Sequence, residues 1–213
     1  MKVYADPITV NCRKVLAGLD LIGAPYELVH VDYFKAEQKG AMFTAINPNQ
    51  ALPALVDGDF VLWESNAMLQ YAADKVGNAW AYPTDLKTRA DINRWLLWES
   101  SAWFPSCYVF LVENCVKPLL GGQPDPAVLD AQAAQWHKLA GILDARLAGR
   151  DWMVGNGPTI TDVVVAAPMH LHGWQKLPLA DHPNLRRWLM SSVEKLPCWD
   201  KTWVGEGFKL RAA

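Results

Sequence analysis

The chain has 213 residues, of which 51% are hydrophobic and 20% charged, so it can bury a sizeable core in one large domain or two small ones. Its formal net charge of −2, without any Lys/Arg-rich run, argues against nucleic-acid binding, and no segment reaches the roughly 18 apolar residues of a membrane span. The 4 cysteines are scattered and free of CxxC spacing, which predicts reduced thiols in a cytoplasmic protein rather than a disulfide framework or a zinc site.

The first elements along the chain form a β-α-β pattern. Lys2 to Ala5 is a short strand, and 11–22 carries apolar residues at helical spacing before Gly23, which suits a helix C-cap. Residues 26–32 alternate apolar and polar side chains, which is typical of a second strand. A helix between two strands predicts that the strands are parallel, with a right-handed crossover. Residues 35–46 then predict a weaker helix.

The next segment predicts a β-hairpin followed by a helix. The apolar runs 54–57 and 60–63 are joined by Gly58-Asp59, which suits a tight turn. Residues 65–76 have the apolar spacing of a helix, and Gly77 follows as a second candidate C-cap. These elements complete a small α/β unit.

A change of pattern at 78–86 marks the predicted domain boundary. Beyond it, helical periodicity runs almost uninterrupted to the C-terminus. We therefore predict an α/β domain at 1–77, a linker at 78–86 and an all-helical domain at 87–213. Within the second domain, helices are expected at 86–117, 125–148, 159–174 and 184–196.

Four residues of the α/β unit suit a peptide-like ligand. A cis bond at Pro53 would turn the Leu52 N–H and C=O toward solvent, where they can pair with an extended ligand, although a trans bond is the commoner state of a proline taken alone. Ser65 is a candidate N-cap at a helix start that offers free N–H groups to an anion, and Glu64 can pair with an ammonium group there. Each of these residues also fits a purely structural role.

Short motifs between 47 and 67 carry a family resemblance: Asn47-Pro48, Leu52-Pro53-Ala54-Leu55, Asp57-Gly58 and Leu62-Trp63-Glu64-Ser65-Asn66-Ala67. Together they resemble the glutathione-binding half of the glutathione transferases, and in particular the bacterial serine- or threonine-site members similar to the theta, phi or nu classes. Thr159 and Asp162, which fit a helix capping box, extend the resemblance into the second half. It implies a thioredoxin-like α/β domain followed by an all-α domain, a homodimer, and glutathione as co-substrate without a metal.

The resemblance places the reactive centre at the start of the first helix. Thr9 stands three residues before a Cys-Arg pair, which is the place of the thiol-activating hydroxyl, and Asn11 can donate a second hydrogen bond to the sulfur. Lowering a thiol pKa from about 8.5 to about 6.5 requires roughly 2.7 kcal/mol, which one charged hydrogen bond and a helix N-terminus can supply. Cys12 is a competing nucleophile, but it matches the second, more buried cysteine of a CxxC site, which favours a structural role.

The family also implies contacts to the two ends of the substrates. Gln38 and Lys39 match positions where an amide or basic side chain holds the glycine carboxylate of glutathione, whereas Ala51 lacks the long polar side chain of some relatives. Phe104 and Tyr108 are the members of the aromatic stripe along the first long helix that we assign to the pocket of the second substrate.

The sequence therefore predicts an enzyme that directs the glutathione thiolate at a small hydrophobic electrophile. Glutathione-dependent reduction of peroxides or disulfides on the same site is an alternative, and so is a non-catalytic glutathione-binding scaffold. His170 and His172 are two residues apart and point in different directions on a helix, so we expect no metal site there.

Overall fold

A four-stranded mixed sheet forms the N-terminal half of the molecule, a computed structural model that describes residues 1–205. The strand order is β2-β1-β3-β4, with β1 parallel to β2 and the other two pairs antiparallel. Both the predicted parallel β-α-β pattern and the predicted hairpin are therefore confirmed. The strands are Lys2–Ala5 (β1), Glu27–His30 (β2), Ala54–Asp57 (β3) and Phe60–Trp63 (β4).

Two helices, Val10–Ile22 (α1) and Ser65–Val76 (α3), pack against each other beside the sheet. Gly18 permits their close approach, because a Cβ atom there would lie 2.5 Å from Leu69 Cδ2. Both helices end, as predicted, at glycines with positive φ: Gly23 at 75° and Gly77 at 69°.

The prediction of a single helix over 35–46 is wrong. The chain forms a 3-10 turn at Glu37–Lys39 and a short helix at Ala41–Ile46 (α2). Gly40 separates them with extended backbone angles (φ −70°, ψ 155°), which end the first turn and start the second. Within the 3-10 turn, Gln38 is buried and Lys39 is exposed.

A long helical segment opens the second half and extends slightly beyond the predicted 86–117. Its regular parts are interrupted by π-helical turns at Glu99–Trp103 and Val112–Val116. Pro105 and Pro118 each stand at the second residue after such a turn, and proline cannot donate the hydrogen bond of a regular α-helix. The regular parts are Leu86–Trp98 (α4), Phe104–Leu111 (α5) and Lys117–Leu119 (α6).

The helix predicted at 125–148 is found at Pro126–Arg146, close to those bounds, whereas the other two are clearly shorter than predicted. The predicted helix at 159–174 is broken by a 3-10 turn at Ala167–Met169, which contains Pro168, and the one at 184–196 ends early and continues as a 3-10 turn. Residues 206–213 of the predicted helical domain lie outside the described residues. The helices are Pro126–Arg146 (α7), Ile160–Ala166 (α8), His172–Gln175 (α9), Pro183–Ser191 (α10) and Pro197–Lys201 (α11).

Arg13 ties α1 to the helical half of the molecule. Its buried guanidinium donates to the carbonyl of His170 at 3.2 Å and to that of Trp199 at 3.0 Å, and it lies 4.2 Å from the centre of the Trp199 ring. The N-terminus of α1 is thereby held between the sheet and the helices, where a cleft opens. In the described part of the chain, no helix has the length and apolar character needed to cross a bilayer.

Candidate active site

A cleft of about 360 Å³ lies between the first turn of α1, the loops after β2 and before β3, and the α5 helix. Its lining is mostly apolar, with a few polar side chains. Seven of the residues predicted for the site line it: Thr9, Asn11, Gln38, Lys39, Leu52, Phe104 and Tyr108. Sequence reasoning missed Ile8, Tyr33, Phe34, Gln50, Leu111, Val116 and His170 as lining residues.

A smaller cavity of about 80 Å³ adjoins the cleft and contains the other three predicted residues, Pro53, Glu64 and Ser65. Asn11 and Leu52 line both spaces. The structure thus brings all ten predicted site residues to one continuous surface.

The loop before β3 presents its backbone to both cavities. The Leu52–Pro53 peptide bond is cis, and neither the N–H nor the C=O of Leu52 takes a hydrogen bond within residues 1–205. Asn47 holds the loop from behind by donating from Nδ2 to the Ala51 carbonyl at 2.7 Å. A free peptide group beside a pocket can pair with an extended ligand.

Ser65 is not the N-cap of α3, contrary to the sequence prediction. Glu64 holds that position in an unusual conformation (φ 72°, ψ 105°), and Ser65 is the first residue of the helix. Its hydroxyl is buried and accepts a hydrogen bond from Lys14 Nζ at 3.3 Å, while Glu64 is exposed. The N-terminus of α3, with the free N–H groups of its first turn, still lies at the smaller cavity, and an anion is favoured at such a helix end.

Lys14 joins this corner of the site to the helical half. Its Nζ lies 2.9 Å from Glu99 Oε1, and the two side chains are 2% and 0% exposed. Asn66 completes the cluster by accepting from Lys14 and by donating to Glu99 Oε2 at 3.1 Å. A buried ion pair of this kind needs such additional hydrogen bonds to offset its desolvation.

Thr9 occupies the N-cap position of α1, but its side chain does not cap the helix. The hydroxyl donates instead to the Asp6 carbonyl at 3.2 Å and is only partly buried. Three residues on, Cys12 is fully buried, and burial raises the pKa of its thiol to about 12 despite a hydrogen bond with Thr9. Cys12 is therefore no thiolate at neutral pH, in agreement with a structural role.

Two amide side chains of the site have oxygens without partners. Asn11 Oδ1 and Gln38 Oε1 are sealed from solvent and accept no hydrogen bond from the described residues. Gln38 is 4% exposed, whereas Lys39 beside it is open to solvent. These amides can accept donors from a bound ligand only after a small rearrangement, whereas the Lys39 ammonium group is already accessible.

The wall of the cleft opposite α1 is aromatic. Phe104 and Tyr108 stack at 5.4 Å between ring centres with an interplanar angle of 17°. Burial, together with the Tyr33 hydroxyl, raises the pKa of Tyr108, which therefore stays a neutral phenol. Of the other aromatic residues of this long helical segment, Trp95, Trp103 and Phe110 are buried and Trp98 is half-buried.

Family models for the glutathione S-transferase N-terminal and C-terminal domains match residues 1–74 and 108–196 of this chain. Glutathione S-transferase 3 of Zea mays is 32% identical over 209 residues, covering 95% of this chain and 92% of the maize protein. This chain belongs to the glutathione S-transferase family.

Other members of the family are similar over nearly the same extent. Glutathione S-transferase theta-1 of Mus musculus is 31% identical, with 88% of this chain and 80% of the mouse protein covered. The solved structure of maize glutathione S-transferase I in complex with an atrazine glutathione conjugate has a TM-score of 0.84 and 25% identity, and covers 95% of this chain and 96% of that one. The predicted glutathione transferase fold, a thioredoxin-like α/β domain followed by an all-α domain, is confirmed.

Two kinds of site residue in this transferase were not predicted from the sequence. Leu111 lies on the same regular helix as Phe104 and Tyr108 and simply was not assigned to the site, whereas Val116 is the last residue of the second π-turn, which changes which side chains face the cleft. His170 lies after the 3-10 turn that breaks the predicted helix, so regular helical spacing gave no sign of its position. The family motifs around α1 and β3 were the only strong signals.

Proposed function

We propose that this chain conjugates the thiolate of reduced glutathione to a small hydrophobic electrophile bound between the sheet domain and the helices. The observation that supports it most is the continuity of the two cavities. One end offers the N-terminus of α3 and the carboxylate of Glu64. The middle offers the free peptide group of Leu52 and the hydroxyl of Thr9, and the other end is lined by Phe104 and Tyr108. This order of groups matches a tripeptide thiol beside an apolar partner.

Glutathione is proposed to lie along both cavities. Its γ-glutamyl carboxylate is placed at the start of α3, near Ser65, and its ammonium group near Glu64. The cysteine backbone pairs with Leu52, and the glycine carboxylate extends toward Gln38 and Lys39. Glutathione is the co-substrate in this proposal, and no step requires another group.

The sulfur is proposed to lie at the first turn of α1, beside Thr9 and Asn11. The Thr9 hydroxyl, which donates to a neutral carbonyl in the structure, can donate to the thiolate instead. A hydrogen bond to a charged group contributes about 1.5–3 kcal/mol, and the helix N-terminus about 0.3–1 kcal/mol. Their sum covers the roughly 2.7 kcal/mol needed to lower the thiol pKa by about two units.

We propose further that the active form is a cytoplasmic homodimer. The edge strand β4 supports this assembly, because Phe60 and Trp63 on it are 44% and 40% exposed. Exposed aromatic residues on an unpaired edge are a common feature of protein interfaces. Sedimentation velocity of the purified chain tests this part of the proposal, and a single species at the monomer mass would refute it.

Conjugation assays test the function directly. The wild type, Thr9→Ala and Thr9→Ser are incubated with glutathione and benzyl bromide, with cumene hydroperoxide in parallel. We expect Thr9→Ala to lower kcat/KM for conjugation near pH 6.5 by roughly tenfold or more, since one charged hydrogen bond is lost, while Thr9→Ser retains most of the rate. Turnover of the hydroperoxide alone would assign the site to reduction, and turnover of neither compound would favour the scaffold alternative.

A further inference from the structure

Two histidines of the helical half face each other where α10 begins. His137 lies on α7, and His182 is the residue that precedes α10. His137 Nδ1 lies 3.0 Å from His182 Nε2, and the two ring centres are 5.3 Å apart. The second distance exceeds the first by about the sum of two ring radii, so the two nitrogens point almost directly at each other. One ring therefore donates a nearly linear N–H···N hydrogen bond to the other.

This geometry is that of a pair that shares a proton, and not that of two metal ligands. Two imidazoles that bind one metal ion direct their lone pairs at a common third point, with each nitrogen about 2.0–2.1 Å from the ion. The rings of His137 and His182 direct their nitrogens at each other instead, which leaves no room for an ion between them. The ligand that suits the pair is a proton.

The pair is packed against the aromatic core of the helical half. His182 is 9% exposed, and the fully buried Trp136 ring lies 5.5 Å from it and 5.4 Å from the His137 ring. Trp136 in turn contacts Trp103 at 5.6 Å between ring centres. A positive charge on the pair must therefore be accommodated where little water is available to solvate it.

The charges around the pair make this contact sensitive to acid. Burial and the neighbouring His137 lower the pKa of His182, and Asp144 and Asp181 oppose this shift only in part. Asp144 is not free to turn toward the pair, because its two oxygens accept three hydrogen bonds from Asn184 and the residue after it. A histidine whose pKa is lowered on folding contributes stability that is present at neutral pH and is lost as the pH falls.

We propose that His137 and His182 form an acid-released latch between α7 and α10. The neutral pair shares one hydrogen bond, and a first added proton preserves it, since an imidazolium still donates to a neutral ring. A second proton breaks the bond, because two imidazolium rings have only N–H groups and no acceptor. The latch is thus closed at neutral pH and opens when both rings are charged.

Opening of the latch affects the first turn of α10 and the elements that follow it. The Arg186 N–H donates to the His182 carbonyl at 2.9 Å, so the first hydrogen bond of this helix depends on the position of His182. α10 continues through a 3-10 turn into α11, where the Trp199 carbonyl accepts from Arg13 of α1. Acid at the pair therefore loosens an element that supports the helix next to Thr9.

Hydrogen–deuterium exchange at the start of α10 tests the latch. The matched variant combines His137→Asn with His182→Gln, which places an amide near each of the two nitrogens, so the pair can still share a hydrogen bond but cannot titrate. The full-length wild type and variant are compared between pH 7.5 and pH 4 by mass spectrometry, with intrinsic exchange rates corrected for pH. Peptides from α3, in the sheet domain, serve as the internal reference.

In the wild type, we expect the protection of residues 183–191 to fall about tenfold relative to α3 as the pH drops, as for the loss of one hydrogen bond. In the variant, the protection of the same peptides should change by less than about twofold. An equal fall in both proteins, or no fall in the wild type, would overturn the latch.

Nuclear magnetic resonance of the histidine ring nitrogens in the wild type is a second measurement, which does not require the variant to fold. We expect His137 and His182 to titrate together in two steps, with the N–H···N signal present after the first and absent after the second. Independent titration of both rings at the ordinary histidine pKa would contradict the shared bond. Neither measurement involves glutathione, so both outcomes are independent of the proposed conjugation.

Discussion

Thr9 and Cys12 lie three residues apart at the start of α1, yet their surroundings give them opposite properties. The Thr9 hydroxyl faces the cleft without capping its helix, whereas Cys12 is fully buried with its pKa raised to about 12. Position along the helix decides this difference, because Thr9 is the N-cap residue with extended backbone angles (φ −86°, ψ 148°), whereas Cys12 lies inside the first turn, where the helix packs into the core. Thr9, which lines the cleft, is therefore placed to meet a ligand sulfur, and the Cys12 thiol is not.

Cys12→Ala tests this division of roles. The substitution should leave kcat/KM for conjugation nearly unchanged, since a protonated, buried thiol does not contact the substrates. It should lower the free energy of unfolding by about 1 kcal/mol, because a fully buried side chain loses its packing. Steady-state kinetics and urea denaturation measure the two effects. Loss of activity in a variant that remains folded would instead point to chemistry at the cysteine.

The sequence predicted more of the site at some residues than at others. Leu52, Pro53 and Glu64 lie in a motif with a strong family resemblance, and the structure brings them together as that resemblance implied. The prediction that Ser65 is the N-cap was wrong. Glu64 takes that position with a positive φ, which no residue pattern indicated. The partner of the Ser65 hydroxyl, Lys14, could not be predicted either, because the two residues are 51 positions apart in the sequence and lie on different helices.

At the scale of single elements, α8 has the most complete capping arrangement in the described chain. The Thr159 N–H donates to Asp162 Oδ2 at 2.8 Å, and Thr159 Oγ1 accepts from Thr161 at 3.2 Å, which confirms the predicted capping box. Asp162 also accepts from Met153 at 2.8 Å and from Trp188 at 3.0 Å. One buried carboxyl therefore fixes the start of the helix, the preceding loop and α10.

Asp162 should make the stability of the protein depend on pH. Burial raises the pKa of this carboxyl from its ordinary value to about 6, although its four donors oppose the shift. The folded state then holds the proton more tightly than the unfolded state, so the stabilisation is fully present below about pH 4 and is lost as the pH rises to about 6. The loss from this group is on the order of 3 kcal/mol.

Asp162→Asn is the control, because the amide cannot titrate. Urea denaturation between pH 4 and pH 7 gives the free energy of unfolding of both proteins, and the difference between wild type and variant should shrink as the pH rises. Parallel curves would show that the native carboxyl titrates at its ordinary pKa.

Element boundaries were predictable where one residue alone determines them. Gly23 and Gly77 end their helices as expected because both need positive φ. The breaks at 40 and 167–169, and the two π-turns, were not predicted, because apolar spacing continues through them. Pro168 and the prolines after the two π-turns were visible in the sequence, but a proline indicates a disturbance without specifying its form.

At the scale of the whole molecule, the ion pair of Lys14 and Glu99 joins the two halves behind the site. It lies at the meeting point of α1, α3 and the first π-turn, and both side chains are almost fully buried. The same lysine donates to Ser65 at the proposed γ-glutamyl site. Binding at one end of the cleft is therefore connected to the packing of the helices against the sheet domain.

A double-mutant cycle measures this connection. Lys14→Met should lower the free energy of unfolding by about 3–5 kcal/mol, because it leaves Glu99 as an unpaired buried charge. Adding Glu99→Gln to Lys14→Met should recover part of that loss, so that the two single effects are clearly non-additive. Both single variants should also bind glutathione more weakly by isothermal titration calorimetry. Additive losses in stability would mean that the two charges contribute independently.

The central claim is that the first turn of α1 stabilises the thiolate of bound glutathione through Thr9. The most direct measurement is the ultraviolet absorbance of the thiolate, titrated against pH with saturating enzyme, for the wild type, Thr9→Ser and Thr9→Ala. We predict a bound-thiol pKa of about 6.5 in the wild type, a similar value in Thr9→Ser, and a rise of roughly one to two units in Thr9→Ala. Identical titrations in the wild type and Thr9→Ala, with glutathione bound in both, would contradict the account.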